Sequence, residues 1–477
     1  MKLTNAIALY PVVALGVACT PIKCINWILT VPRHSAFSES ARVLFVAVLS
    51  AIILVLCFGP SYFLRPKVEP YQLKNKTPFS QVWISEDENA AHISLVLVYP
   101  YGERANPYEL GLAHYVEHLA WHNVRSESGN QGRHSNAWTS ATSTGYLMSV
   151  DVDALSNGIE RLMATAQPLQ ISPEDAVQER DIVVREYDFR VSENPFNDMR
   201  DEMVNELYGA SGYARSEIGT RESIASFTFE GAQQLHRSSH KLSQAKLLIS
   251  GPVDRNLVQD ILEQLPQQPD LEPSIDLTVA HTTMVPSADI KSITIVGAAE
   301  RQLIVRSVVS VPESMNPLML EALINATNPM MLSTKHSGLT KSLRFDEFWA
   351  RSIRFALFQS GPSVLEIFTS AVPDSKVGLN ALKAEFEKTM ANARTNATQT
   401  DFESIKSRLL NKVDSDIHVL QTNEKRLRFA LSTGGTYSSL SSYRKALKSM
   451  TFEMYTDFQT HLDTAPRTST RMILPSN

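Results

Sequence analysis

The sequence predicts an α+β protein with two similar domains, each an antiparallel sheet flanked by helices, preceded by an N-terminal membrane segment. Three observations predict this arrangement. An uncharged apolar run lies near the N-terminus, and strand-like and helix-like segments alternate beyond it. After a Pro/Gln/Asp-rich stretch the same order of elements begins again. The predicted duplication depends on this order alone, because the two halves share no strong residue-level repeat.

Composition excludes several classes of protein. A chain of 477 residues with 43% hydrophobic and 20% charged residues is typical of a globular protein with room for two domains. The net charge of −5 shows no basic excess, so no nucleic-acid partner is expected. The three cysteines, Cys19, Cys24 and Cys57, lie near the N-terminus. The rest of the chain therefore holds neither a disulfide scaffold nor a thiolate metal site.

The N-terminal region, residues 1–64, contains the candidate membrane segment. Val43 to Leu64 carries no charge and is bracketed by Arg42 and Arg65; about 20 apolar residues suffice for a helix to cross a bilayer. The shorter apolar stretch from Ala6 to Ala18 fits a signal-like region, a second span or an interfacial segment. Basic residues lie on both sides of the longer run, so they do not fix its orientation. We expect an anchor in a bacterial inner membrane, with the catalytic part on the periplasmic side.

Residues 65–251 form the first predicted domain. Its most informative helix has Ser172 as N-cap and Pro173 in the first turn, with acidic residues beside the positive end of the helix dipole. The predicted strands are Gln81–Ile84, Ala91–Tyr99 and Ser135–Val150, and the predicted helices are Glu109–Trp121, Ala154–Ala166 and Ser172–Arg190.

A predicted linker, residues 252–285, separates this domain from a second one at 286–477. The linker is rich in Pro, Gln and Asp, which is typical of interdomain segments. The second domain has predicted strands at Ser292–Val296, Leu303–Val311, Ser352–Phe358 and Ser363–Thr369, and predicted helices at Leu318–Ala326, Thr334–Leu343, Lys376–Ala393 and Thr400–Ser415.

The segment from His114 to His118 carries the chemistry. On a helix, positions four apart share a face, so His114 and His118 can both bind one metal ion. Glu117 borders that face and can reach a water molecule without taking a coordination position. Hydrolytic zinc is commonly bound by two imidazoles and one carboxylate, and its fourth coordination position stays open. The spacing H-x-x-E-H is the inverted zincin pattern, with Glu117 as the general base.

A third ligand is expected on the helix that begins at Ser172. Glu179 and Glu186 lie about two turns apart on one face of that helix. Glu186 can complete the coordination of one Zn²⁺ per chain, while Glu179 orients a ligand or the water. His122 is a rival ligand four residues after His118. Glu186 is preferred, because three successive histidines would leave the glutamate pair unexplained.

The stretch GLAHYVEHLAWHN resembles the opening motif of the M16 (pitrilysin/insulinase-like, mitochondrial processing peptidase-like) metallopeptidases. HSNAWTSATSTGYLMSV, QERDIVVREYDF and GYARSEIGTRESIASFT resemble later segments of the same family, in the same order. The resemblance covers residues 80–255 well and continues more faintly beyond them. It implies zinc ligands at His114, His118 and Glu186, with Glu117 as base and Glu179 as a supporting residue. It also implies that Asn136 and Ala137 lie on an edge strand that binds extended peptides by strand addition.

The sequence departs from the family in the second domain. There the family supplies an Arg followed seven residues later by a Tyr, which bind substrate and stabilise the oxyanion. In GLTKSLRFDEFWARSIRFAL, Arg344 fits the Arg, but Arg351 occupies the Tyr position. Arg351 could replace the phenol as a cationic donor, or a partner subunit could supply the Tyr. Alternatively, both arginines are ordinary surface residues.

The leading prediction is a membrane-anchored zinc endopeptidase that acts on peptides or unfolded proteins. The alternative is a non-catalytic or partner-dependent M16-like subunit, in a homodimer or in a heterodimer with a related subunit. A small-molecule metallohydrolase is a third reading, but it does not account for the strand-like segment Ser135–Val150 beside the site.

Overall fold

Two β-sheets with one shared strand order organise the chain in the computed structural model. From residue 67 onward the chain forms one compact unit that contains both sheets. The structure describes residues 68–74, 77–126, 134–194, 196–209, 216–266, 290–295, 298–335, 338–361, 363–433, 435–464 and 467–475. The predicted membrane span and the earlier apolar stretch lie outside these ranges. Within them, no helix has both the length and the apolar character needed to cross a membrane.

The first sheet has the order β1-β2-β6-β3-β5-β4. β2 and β6 run parallel, whereas the other neighbours are antiparallel. Its strands are Tyr71–Leu73 (β1), Gln81–Glu86 (β2), Ile93–Tyr99 (β3), Ser135–Thr139 (β4), Thr144–Val150 (β5) and Lys246–Gly251 (β6).

The second sheet has the order β7-β11-β8-β10-β9, with β7 and β11 parallel. Apart from β1, both sheets place the first strand of their half next to the last, followed by the second, fourth and third. This shared order supports the predicted duplication. The sheets were predicted to be antiparallel, but each contains one parallel pair, because in each half the last strand returns in the direction of the first and pairs with it. The strands are Ile290–Ile295 (β7), Gln302–Ser310 (β8), Ala350–Gly361 (β9), Val364–Pro373 (β10) and Arg467–Pro475 (β11).

Thirteen α-helices occur in the described ranges, and two more segments are π-helical, Asp188–Ser192 and Thr340–Asp346. The α-helices of the first half are Leu112–Ser126 (α1), Leu155–Met163 (α2), Pro173–Tyr187 (α3), Asn197–Tyr208 (α4), Arg221–Ser226 (α5), Phe229–Ser239 (α6) and Arg255–Gln264 (α7). Those of the second half are Pro317–Met331 (α8), Leu379–Thr395 (α9), Gln399–Asp416 (α10), Leu420–Ser432 (α11), Leu440–Ser449 (α12) and Phe452–Leu462 (α13).

Several predicted elements need correction. The segment Ser135–Val150 is a hairpin, β4 and β5, because the Ser140 hydroxyl accepts hydrogen bonds from the backbone N–H groups of Thr142 and Ser143 and forms a turn. The predicted helix Thr334–Leu343 is replaced by the π-helical segment Thr340–Asp346. Within the predicted linker, Asp254 caps α7, whose Val258 and Leu262 are buried in the first core. The linker residues from 267 onward lie outside the described ranges.

Each sheet has one face covered by its own helices and the other by a helix from the opposite half. Side chains alternate along β3, so Leu95 and Leu97 face the first core while Val96 and Val98 face Leu427 and Leu431 of α11. This two-sided burial explains why the sequence of β3 is almost continuously apolar.

On the second sheet the covering helix is α4. Its Met199 and Met203 pack against Ile295, Ile304 and Ile473. α4 follows α3 closely in the chain. The helix that carries Glu179 and Glu186 is therefore connected directly to a helix that packs against the second sheet. Sequence patterns did not predict α4 or α11.

Candidate metal centre

The first turn of α1 depends on a glycine. Gly111 has φ +84°, and a Cβ there would lie 2.4 Å from the backbone oxygen of Ile218. Only glycine tolerates both the left-handed backbone and the close approach. Its carbonyl accepts hydrogen bonds from the backbone N–H groups of His114 and Tyr115. The glycine thus sets where α1 begins, and therefore which residues face the cleft.

α3 lies beside α1 with its start fixed as the sequence predicted. The Ser172 hydroxyl accepts the Asp175 backbone N–H at 3.0 Å, and Pro173 occupies the first turn. The Tyr115 hydroxyl of α1 donates to the Ala176 carbonyl of α3 at 2.5 Å. This hydrogen bond connects the two helices whose later turns carry the candidate ligands.

His114, His118 and Glu186 come together at this contact. One ligand atom from each lies within 4.8 Å of the other two. Glu186 Oε2 is 3.6 Å from His114 Nε2 and 3.4 Å from His118 Nε2. The two imidazole rings stand edge to face, with centroids 4.9 Å apart. The predicted ligand set is therefore brought together by two helices far apart in sequence.

This spacing fits a bridging metal ion. Both distances are longer than the ~2.9 Å of an ordinary hydrogen bond. Ligand atoms about 2.0–2.2 Å from a tetrahedral zinc lie roughly 3.3–3.6 Å from one another. Two imidazole nitrogens and one carboxylate oxygen are also the donor types that hydrolytic zinc uses. The residues present thus fit zinc in both spacing and chemistry.

Glu179 supports the site from behind. Its Oε2 lies 3.2 Å from His118 Nδ1, so it can hold the ring with Nε2 turned toward Glu186. Burial lowers the His118 pKa, but Glu179 and Glu186 outweigh burial and raise it to about 9. Burial lowers the His114 pKa to about 4, which keeps that imidazole neutral. The interaction with His118 lowers the Glu186 pKa to about 2.

Glu117 is a buried carboxylate held by one hydrogen bond. The Thr139 hydroxyl of β4 donates to Glu117 Oε2 at 2.7 Å. Burial raises the Glu117 pKa to about 7, although the Thr139 hydrogen bond opposes the shift. A carboxylate with a pKa near the working pH can both accept and return a proton. Sequence analysis assigned the base but not Thr139, which needs the hairpin register to be found.

Asn136 and Ala137 lie on β4, the edge strand of the first sheet, and line the cleft. β5 pairs with the other side of β4. Trp138 lies opposite Gly145, where a Cβ would come 2.2 Å from the indole ring. Gly145 therefore makes space for Trp138 and lets β4 lie flat along the cleft.

The cleft measures about 680 Å³ and draws its described lining from the first half alone. Besides the residues above, its walls include Trp121, Val124, Ser135, Arg161, Arg190, Glu217 and Ile218. Arg344 and Arg351 are not among the described lining residues. Arg351 pairs with Glu300 at 2.7 Å beside another pocket, and exposed Arg344 lies near the Phe345 ring. The structure does not bring these two arginines to the metal centre.

Two further residues, His122 and Arg190, lie on or just after the helices that carry the candidate ligands. His122 lies on α1 but is absent from the ligand group and the cleft lining of the described residues. Arg190 was not predicted, although its spacing of four from Glu186 was a usable signal. Its Nη2 lies 2.6 Å from Glu186 Oε1.

The fold and this centre define a class of protein. Residues 81–221 match the model of the insulinase family, peptidase family M16. This match supports the resemblance to the M16 peptidases that the sequence motifs predicted.

Among curated proteins, the chain is 24% identical over 225 residues to the zinc protease PqqE of Helicobacter pylori, covering 45% of this chain and 50% of that protein. It is 27% identical over 169 residues to the beta subunit of the mitochondrial-processing peptidase of Dictyostelium discoideum, covering 32% of this chain and 35% of that one. The chain thus matches half or less of the length of these relatives.

Solved structures share the fold over most of the chain. One described as an M16-like peptidase from Alicyclobacillus acidocaldarius has a TM-score of 0.71 and 16% identity, covering 86% of this chain and 98% of that one. An inactive M16 domain from Pseudomonas fluorescens has a TM-score of 0.65 and 14% identity, covering 86% and 98%. The same fold thus occurs in proteins described as peptidases and in one described as inactive.

Proposed function

We propose that this protein is a zinc-dependent endopeptidase. The observation that carries the proposal is the combination of three ligand atoms within 4.8 Å of one another with a buried carboxylate beside them. Neither helix provides this arrangement alone. An inactive member of the fold would have no need to keep the three ligands, the base and Glu179 together.

His114, His118 and Glu186 would hold one zinc ion. The bound ion would supply Lewis acidity, which polarises a peptide carbonyl and makes a water molecule more acidic. Glu117 would accept the proton of the attacking water and return it to the leaving amine. Thr139 would keep the Glu117 carboxylate turned toward the cleft during both transfers. Because Glu117 is buried, its carboxylate meets little bulk water to compete with the substrate.

The edge strand indicates a peptide as substrate. β4 has an unpaired edge in the described sheet and runs along the cleft beside the base. An extended peptide can add to such an edge through main-chain hydrogen bonds, which needs no particular side-chain sequence. This mode of binding suits unfolded segments, because a folded protein rarely offers a free extended strand.

Zinc content and chelation test the proposal. We expect purified protein to contain about one zinc per chain and to cleave an unfolded protein or peptide mixture. Removal of the metal with a chelator should abolish cleavage, and added zinc should restore it. Protein that binds no zinc, or cleavage that resists complete metal removal, would contradict the proposal.

A second candidate is a subunit that needs a partner. It is favoured by the position of Arg351, which pairs with Glu300 instead of reaching the metal centre. The beta subunit of the mitochondrial-processing peptidase, one of the relatives, is by its description part of a larger enzyme. This candidate predicts that the chain alone binds zinc but cleaves only when mixed with a related protein that carries the Arg/Tyr pair. Equal cleavage with and without such a protein would rule it out.

We further propose that Val43 to Leu64 anchors the protein in a membrane, with the peptidase part on the periplasmic side. The support is the length and apolar character of this run. Fractionation of cells that produce the full chain tests the anchor, and protease access from the periplasm tests the side. Release of the intact chain into the soluble fraction would contradict the anchor.

A further inference from the structure

Arg190 contacts the oxygen of Glu186 that does not face the imidazoles. Its Nη2 lies 2.6 Å from Oε1, whereas Oε2 faces His114 Nε2 at 3.6 Å and His118 Nε2 at 3.4 Å. The two carboxylate oxygens thus have separate partners. The arginine occupies the position that would stop the carboxylate from rotating away from the histidines.

The backbone that carries Arg190 is specifically held. α3 ends at Tyr187, and the chain continues as a π-helical segment, Asp188–Ser192. The buried Asn197 donates to the Arg190 carbonyl at 3.2 Å and to the Val191 carbonyl at 2.5 Å. π-helical turns occur frequently at functional sites. Arg190 lies in this segment, four residues after Glu186.

Further contacts hold the start of the π-helical segment. Arg221 of α5 forms an ion pair with Asp188, and the Ser192 hydroxyl donates to the Asp188 carbonyl at 3.0 Å. The segment is therefore fixed at its first residue by α5 and further along by α4. An arginine that merely covered the surface would not need its backbone held from two sides.

Two effects of Arg190 on metal binding oppose each other. Its positive charge repels a dication, but its side chain is 64% exposed, so solvent screens that repulsion. Its hydrogen bond orients a ligand, and loss of such a bond typically costs about 10–100-fold in metal affinity. The 2.6 Å contact with Oε1 holds Glu186 at short range, whereas the repulsion acts through solvent. We therefore expect the orienting effect to be the larger, and removal of Arg190 to weaken metal binding.

We propose that Arg190 is a positioning residue that holds Glu186 in the orientation that binds the metal ion. This inference rests on the proposed function, because it requires a metal at His114, His118 and Glu186. In this proposal the π-helical segment holds Arg190 where its side chain can orient the ligand Glu186.

Zinc affinity of the full-length protein tests the inference without reference to activity. The dissociation constant is measured by competition with a chromophoric chelator for the parent and for Arg190→Gln, Arg190→Lys and Arg185→Gln. Arg185 is the matched control, since it is exposed on α3 beside Glu186 and its loss removes the same charge. We expect Arg190→Gln to weaken zinc binding by about tenfold, Arg185→Gln to leave it unchanged, and Arg190→Lys to restore part of the loss. Circular dichroism verifies that each variant is folded.

The absorption spectrum of the Co²⁺ form gives a second readout. It should change in Arg190→Gln and stay as in the parent in Arg185→Gln, because only the first variant frees the Glu186 carboxylate. If the parent binds zinc and Arg190→Gln binds it as tightly as Arg185→Gln, the inference is wrong and the metal centre stands. If the parent binds no zinc, both the inference and the proposed function fail.

Discussion

Two histidines outside the metal centre, His236 and His240, lie inside the first half behind Tyr146. His236 Nε2 donates to the Thr165 carbonyl at 2.8 Å, and His240 Nε2 is 2.7 Å from the Tyr146 hydroxyl. Burial lowers the pKa of His236 to about 4 and holds that of His240 well below its usual value. Both imidazoles are therefore neutral in the folded protein at neutral pH.

This burial predicts a loss of stability in acid. Unfolded histidine has a pKa near 6.5, so between about pH 6.5 and 4 the unfolded chain binds a proton that folded His236 does not. The free energy of unfolding should thus fall by up to about 1.4 kcal/mol per pH unit for this residue as the pH drops through that window. Urea unfolding at pH 7 and pH 5 measures the fall in the parent and in His236→Gln.

Gln at position 236 keeps an N–H donor for Thr165 but cannot titrate, so His236→Gln should lose less stability than the parent between the two pH values. Exposed His134 provides the control, and His134→Gln should follow the parent. If His236→Gln shows the full pH dependence of the parent, the neutral buried histidine is not responsible.

At this scale the sequence predicted the ligands but not their surroundings. His114, Glu117 and His118 are recognisable because helical spacing alone places them together. Thr139 is not, because it requires the β4 register, whereas Arg190 could have been found from its spacing of four from Glu186. Arg351 is the opposite case. Its spacing from Arg344 matched the family's Arg/Tyr pair, but its side chain pairs with Glu300.

Among the elements, β4 connects the base to the proposed peptide-binding edge. Trp138 is partly buried between β5 and α11, and the guanidinium of Arg428 lies 5.8 Å from its ring. Thr139 follows directly and reaches Glu117. The placement of the strand therefore affects substrate binding and the base together.

Gly145→Ala should disturb this edge strand specifically. A Cβ at Gly145 would come 2.2 Å from the indole of Trp138, so the ring and β4 must move. We expect kcat/KM for peptide cleavage to fall by about tenfold or more, since small misplacements near the chemistry are costly, while zinc content stays unchanged. Steady-state kinetics and metal analysis measure the two quantities.

The control for this variant is Gly378→Ala. Apart from its neighbours in the chain, no atom of the described residues lies within 4 Å of a Cβ built at Gly378, so the kinetics of this variant should match the parent. Unchanged kcat/KM in Gly145→Ala would mean that the β4 edge does not bind the substrate in the way proposed.

Sequence patterns identified most strands but not how they pair. A short, almost continuously apolar run marks a strand such as β3. It does not show that β6 and β11 return to lie beside the first strand of each half. The hairpin of β4 and β5 was read as one strand because both arms share the same β-forming composition. Pairing depends on contacts between distant segments, which local patterns do not contain.

At the scale of the whole molecule, α4 and α11 each pack against the sheet of the opposite half. Met203 of α4 is fully buried against the second sheet, beside Ile304 and Ile473. In the same helix, the Tyr208 hydroxyl donates to the buried Glu366 of β10 at 2.6 Å. The halves are therefore stabilised by each other as well as by their own cores.

Met203→Ala should destabilise the second sheet although the residue belongs to the first half. Truncation of a buried Met costs about 2–5 kcal/mol. We expect faster hydrogen–deuterium exchange in β8 and β11 as well as in α4, measured by mass spectrometry of the full chain. Asn205→Ala, at an exposed position of the same helix, is the control. If exchange in β8 and β11 is the same in both variants, α4 does not stabilise the second sheet.

At this scale the shared strand order supports the predicted duplication. The packing of α4 and α11 against the opposite half could not be predicted from the sequence. A helix that packs on the other half carries the same apolar pattern as one that packs on its own. The predicted domain boundaries, residues 64, 251 and 285, remain predictions.

The central claim is that Glu117 acts as the base of a zinc peptidase, and Glu117→Gln tests it most directly. The amide keeps the size of the carboxylate and can still accept the Thr139 hydrogen bond, but it cannot take up a proton. Zinc content and peptide cleavage are measured together, under conditions in which the parent cleaves. We predict unchanged zinc content and a loss of cleavage of about 10²–10⁴-fold or more. Cleavage by Glu117→Gln at the rate of the parent would contradict the account.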